Sequence, residues 1–130
     1  MYAIERRKMN TLDLLLKTKV QLPEKQVKMK RLSENTGEDI VFTIQAIPLD
    51  RLEELREANG KSIDFQTMVV LNGVKEPNLK APELKEHFRA HTPVETVKNM
   101  LLAGEIEELY LKISTLSGYG PDTIEEIEKK

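Results

Sequence analysis

The chain has 130 residues with no cysteine and no tryptophan, and 39% of it is apolar. That suffices for one modest core and excludes disulfides and thiolate metal sites, which suits a reducing cytosol. No apolar run approaches about 18 residues, and the charged start lacks the apolar stretch of a signal peptide, so neither a membrane span nor a leader is expected. Net charge is −2 but unevenly placed. Residues 1–32 carry nine Lys and Arg against three Asp and Glu, while the remainder is acidic. Such asymmetry marks either a basic arm for nucleic acid or an acidic partner, or a plain structural arrangement, in which two halves complement each other or a solvated basic strand keeps an edge from pairing. No aromatics interleave the basic residues as a nucleic-acid platform needs, which favours the second.

Residues 1–10 read as a flexible basic arm without apolar period, and the first eight as dispensable, since Met9 makes a plausible start. Thr11 can cap a short helix with Leu12, Leu15 and Leu16 on one side, ending before Pro23. Strands are expected at 26–32 and 40–47. In the first, Val27 and Met29 alternate with lysines; in the second, Ile40, Phe42, Ile44 and Ala46 share a face. The polar stretch 33–39, with Asn35 and Gly37, has hairpin-loop length. Two strands alone are marginal in water, so this hairpin must lie on helices or gain a strand.

Pro48 closes the second strand. Asp50 and Glu53 form a candidate capping box for a helix carrying Leu52, Leu55 and Arg56 to Asn59. Residues 62–73 are ambiguous: Val69 and Val70 favour strand, whereas Phe65, Met68, Val69 and Asn72 fall at helical spacing. A turn-rich link over 76–82 leads to a short helix from Pro82 to about Phe88.

Residues 92–120 carry the strongest local signal. Thr92, Pro93 and Glu95 make a capping box with proline at the first helical position. Val94, Val97, Met100 and Leu101 follow, and Gly104 can stop the helix in a left-handed conformation. A second helix opens with Glu105, Glu107 and Glu108, where the dipole favours anions. Its stripe is Ile106, Leu109, Tyr110, Ile113 and Leu116, and Gly118 ends it.

Little here suggests chemistry. His87 and His91 stand at metal-sharing spacing with Glu83 one turn earlier, but the helix would have to continue to the residue before the Thr92 cap. Two solvated loop histidines are the plainer reading. No nucleophile elbow or phosphate loop appears, and the Glu105/Glu107/Glu108 and Glu125/Glu126/Glu128 clusters lack calcium-loop spacing. No catalytic residue, cofactor or metal is expected. Leu111 falls off its helix stripe, and Ile124 and Ile127 lie in an acidic tail, 121–130, too short to fold alone, where Asp122 and Glu125 could cap a turn that sets both isoleucines on one face. These three are the candidate partner-binding residues.

The run TP-E-V---LL-GEI-EL---I--LSGYG within 92–120 resembles the phage tail assembly chaperones of Bacillus prophages. So do Leu12, Leu15 and Leu16 as an L-x-x-L-L element, Lys30, Arg31 and Leu32 as the end of a basic strand, and Glu76, Pro77, Asn78 and Leu79 as an E-P-x-L element. The resemblance places a helix before that element, so 62–73 is read as helix. The expected fold is a small α+β domain over 11–120, with an N-terminal β-hairpin and a C-terminal helix pair. The resemblance implies a non-enzymatic helper in the host cytoplasm that binds the tape-measure protein and helps bring tail tube subunits to it. Such chaperones are often also made in a longer frameshifted form, a further possible partner; Lys129 and Lys130 would suit the slippery codons. The alternatives are a structural tail or connector component kept in the particle, and a nucleic-acid binder using the basic segment.

Overall fold

A computed structural model of the chain describes residues 10–59, 63–121 and 123–127, so the basic arm before Asn10 and the last three residues lie outside it. In chain order the elements are α1 (Thr11–Leu15), β1 (Glu24–Lys28), α2 (Lys30–Thr36), β2 (Val41–Gln45), α3 (Leu49–Asn59), α4 (Ile63–Gly73), β3 (Val74–Glu76), α5 (Pro82–His87), α6 (Pro93–Met100) and α7 (Ala103–Leu116). The α+β class, the N-terminal antiparallel pair and the closing helix pair are all as expected.

The pair gains the third strand it needs. The sheet order is β1-β2-β3, antiparallel throughout, with a register shift between Thr43 and Ile44. Phe42, Ile44 and Ala46 point to the core as alternation requires, with Phe42 and Ile44 at 2% and 0% exposure. β3 falls between the stretch 62–73 and the turn-rich link over 76–82, meeting the link only at Glu76, and three residues beside Pro77 carry no alternation to detect.

Residues 33–39 do not form the expected loop. Strand pairing ends one residue after β1, where the Met29 N–H donates to Ile40 O at 2.9 Å. The chain then turns at once into α2, which takes up most of that stretch. Ser33 is buried, and its Oγ accepts the Ile40 N–H at 2.8 Å. Gly37, with φ of 80°, ends the helix in the left-handed conformation that glycine adopts without strain. A run of Ser, Glu, Asn and Thr looks like a loop because these residues usually satisfy backbone groups outside helices. Here Thr36 Oγ1 instead bonds back to the Leu32 carbonyl within the helix.

Three caps differ from expectation. Asn10, not Thr11, caps α1: its Oδ1 accepts the Asp13 N–H at 2.8 Å. α3 begins ahead of Asp50, since Leu52 N–H already donates to Pro48 O, and the Asp50 carboxylate serves the Arg51 amide rather than a capping box. Gly104 does not stop α6. That helix ends at Met100; Leu101 is extended (φ −109°, ψ 149°), and Gly104 sits in the first turn of α7. Leu101 is buried at this corner, so anchoring an apolar side chain, rather than a glycine, makes the break.

Residues 63–73 are helical, and α4 is the central strut. Val69 and Val70 are both fully buried because α4 packs on α3, α6 and α7 together. Gly73 lets α7 close in. A Cβ there would lie 2.6 and 2.7 Å from Ile113 carbons. The Thr92 cap forms as read, with Thr92 Oγ1 accepting the Glu95 N–H at 3.1 Å. Ile106, Leu109 and Ile113 of α7 are buried, and Tyr110 and Leu116 pack partly against the same core.

Candidate partner-binding surface

α7 reaches its neighbours by two sides. Its buried stripe lies on α4, which turns Tyr110 and Leu111 towards α3. Between α3, α4, α7 and the turn after α7 lies a groove of about 220 Å³, lined by Leu52, Arg56, Phe65, Tyr110, Leu111, Ser114 and Tyr119. Its floor is aromatic. Phe65 and Tyr110 meet edge to face, with centroids 5.9 Å apart at 73°, and the Arg56 guanidinium stands 5.6 Å above the Phe65 ring. Both arrangements suit the ring quadrupole. The rim is open, with Leu111 54% and Tyr119 48% exposed.

The candidate residues are therefore not brought together. Leu111 is on the groove rim, whereas Ile124 and Ile127 project from the chain beyond Tyr119 at 86% and 85% exposure. Residues 123–127 form no helix, so the capped turn expected to align the two isoleucines is absent there; Asp122, its proposed cap, lies outside the described residues. Reading by stripe missed Arg56, Phe65 and Tyr119 as groove residues. Tyr119, an aromatic set between Gly118 and Gly120 after a helix stop, was the available signal.

The basic and acidic halves do meet. Arg31, at the start of α2, donates from Nε to Glu105 Oε2 at 3.1 Å and from Nη2 to Glu105 Oε1 at 2.8 Å and Met100 O at 2.9 Å. Glu105 Oε1 also accepts the Leu102 N–H at 2.7 Å, which caps α7. The Arg31 hydrogen bond, seconded by that amide, holds the Glu105 carboxyl below its usual range against the opposing effect of burial. The same bond raises Arg31. Lys28 also pairs with Asp39 at 3.1 Å and Glu24 with Lys75 at 2.6 Å, while Lys98 of α6 and Asp64 of α4 pair within the acidic remainder.

The histidines part company. α5 ends at His87, Phe88 caps it, and Arg89 takes φ of 52°, so His91 does not follow one turn along a helix. His87 instead sets its ring edge to face against Phe88, centroids 4.8 Å apart. Among the described residues no three His, Asp or Glu side chains gather as metal ligands. No described helix is long and apolar enough to cross a membrane.

The family model for the phage XkdN-like tail assembly chaperone protein matches residues 12–130. The chain belongs to this family. It is 28% identical over 115 residues to YqbN, an uncharacterised protein of Bacillus subtilis strain 168, covering 77% of this chain and 76% of that one. It is 24% identical over 116 residues to the phage-like element PBSX protein XkdN of the same strain, covering 78% of each. The crystal structure of YqbN matches the fold with a TM-score of 0.70 at 27% identity, over 87% of this chain and 100% of that one.

Seen on the XkdN-like fold, the motif residues have separate jobs. Leu79 of the E-P-x-L element is buried at 2%. Glu105 of the G-E-I element caps α7 and holds Arg31. Arg31 and Leu32 stand on a helix, not at the end of a strand. Leu12, Leu15 and Leu16 are all exposed.

Proposed function

We propose that this XkdN-like chain is a non-enzymatic assembly chaperone that binds the tape-measure protein in the host cytoplasm. In this reading it also helps bring tail tube subunits to that protein, and departs before the tail matures. The observation that carries the reading is the open groove with Phe65 and Tyr110 as floor, Leu111 at the rim and Arg56 at the end. Such a groove takes the apolar face of an amphipathic helix, and Arg56 would meet an acidic residue flanking it. A long helical client needs capture of this reversible kind, while the charged exterior keeps the complex soluble. Residues 11–120 would form the working domain, with Ile124 and Ile127 extending the contact from the tail.

The test is co-expression with the tape-measure protein and co-purification. A Leu111→Ala/Ile124→Ala/Ile127→Ala variant should stay folded by circular dichroism yet lose most of its captured client. Undiminished capture by the folded variant would move the client elsewhere and remove the groove from the reading.

A further inference from the structure

β1 is an open edge of the sheet, flanked by β2 on one side and by no described strand on the other. Its register shows which backbone groups face outward. Met29 N–H donates to Ile40 O and Ala46 N–H to Pro23 O, both at 2.9 Å. With Lys25 opposite Ile44 and Val27 opposite Phe42, the odd-numbered residues bond inward to β2. The N–H and C=O groups of Glu24, Gln26 and Lys28 therefore point away from the sheet. All five residues of β1 pair with β2 without a bulge, which leaves a regular template. Natural proteins guard such edges with charge. Here the charges have both signs, in a symmetric arrangement.

We propose that two copies of this chain pair through β1, antiparallel about Gln26, to join two three-stranded sheets into one. A single register pairs all five residues of both strands. It sets Gln26 opposite itself, Glu24 opposite Lys28 of the second copy, and Lys25 opposite Val27 of the second copy. Gln26, whose backbone groups both face outward, exchanges two hydrogen bonds with its twin across the two-fold axis. Each Glu24–Lys28 pair is attractive and occurs twice, the two exposed charges being shared with their partners within the chain, Lys75 at 2.6 Å and Asp39 at 3.1 Å. A two-residue shift one way sets Lys25 against Lys25. A shift the other way needs Met29 and Lys30 as strand, where the chain has already turned into α2.

The surface beside the edge fits the same occupant. Lys25 and Val27 lie on the helix-covered face of the sheet, since they stand opposite Ile44 and Phe42. Next to Val27 is a hollow of about 280 Å³ whose wall includes Leu109, Glu108 and Lys112 of α7. Lys25 of the second copy, opposite Val27, would stand over that hollow. Glu108 is its available counter-charge, being 72% exposed and held only loosely by Lys112 at 3.9 Å. An added strand with a side chain seated in a flanking hollow is a known mode of strand addition.

Sedimentation velocity on the full chain tests this. The wild type should sediment as a dimer that dissociates on dilution. Gln26→Pro removes only an outward-facing N–H, a change an edge strand tolerates, and should give a monomer with unchanged circular dichroism. Lys28→Glu should weaken dimerisation about tenfold by setting like charges opposite each other twice. Glu24→Lys/Lys28→Glu should restore it, which a merely structural role would not do. Should Gln26→Pro fail to fold, the charge-exchange variants decide alone. A chain monomeric up to about 1 mM, or a dimer that Lys28→Glu leaves as tight as before, overturns the proposal. So does a monomer whose β1 edge instead captures an extended client segment.

Discussion

The helices α1 and α7 differ in fate more than their sequences suggest. α1 has a well-formed cap, with Asn10 accepting from Asp13 and Asp13 answering the Asn10 amide at 3.4 Å, and then Leu12, Leu14, Leu15 and Leu16. Yet none of its residues is buried. α7 follows Leu102, an N-cap without a capping side chain whose amide is met by Glu105, and buries Ile106, Leu109 and Ile113 to 3% exposure or less. A cap and a set of leucines start a helix; what buries it is an opposing wall. α7 has that wall in α4, brought close by Gly73. α1 is one and a half turns long and is followed by exposed chain, including Val20 at 96%.

The largest effect is expected at Leu109. Leu109→Ala removes a side chain of the buried α7 stripe, 3% exposed, and should cost about 2–5 kcal/mol. Urea denaturation should show the midpoint falling sharply with little change in slope. A loss below about 0.5 kcal/mol would mean that α7 is no more anchored than α1.

The same contrast explains what was legible in the sequence. The stripe of α7 was readable because its period is helical and its length spans several turns, although the helix starts at Ala103 and not at Glu105. Phe42, Ile44 and Ala46 were readable because alternation is strict and one face is buried. α2 was not. Its buried side chain is Ser33, beside a half-buried Leu32, and the Ser33 burial is compensated by the Ile40 amide seven residues later, a bond that no local pattern announces. Gly104 misled because a glycine between two helical stripes normally marks a C-terminus, whereas here Leu101 leaves helical geometry first. Of the groove, Leu111 could be found as the residue off the stripe. Arg56 and Phe65 could not, because their meeting depends on how α3 and α4 cross.

A smaller effect is expected at the junction between the two halves. Glu105 ties α7 to Arg31 and has its pKa lowered, so in the folded state it stays ionised to lower pH than in the unfolded chain. Its contribution is therefore complete above the ordinary carboxylate value of about 4.3 and is lost as pH falls through the lower folded value. Glu105→Gln should be less stable than wild type at pH 7, and the gap should close on acidification below about pH 4. Thermal melts across that range check it. A gap that stays constant down to the acid transition would mean that the Arg31 bond does not set the charge state of Glu105.

The smallest effect is expected at α1, where the comparison is most exposed to failure. Leu12, Leu15 and Leu16 are 63%, 60% and 75% exposed. Truncating any one to alanine removes apolar surface that water already wets, and alanine has the higher helix propensity. Each substitution should therefore change stability by no more than about 0.5 kcal/mol, in contrast to Leu109→Ala. Measured on dilute protein, the three midpoints should fall within error of wild type. Measured across protein concentration, they separate two reasons for bare leucines. If α1 is simply solvated, the variants track wild type at every concentration. If α1 docks on another molecule of the chain, wild type gains more stability than the variants as concentration rises, beyond any gain that β1 pairing gives them all, because association stabilises only the folded state. A cost of about 2 kcal/mol or more at high dilution would be different again: it would place α1 on the core of its own chain and remove the contrast with α7.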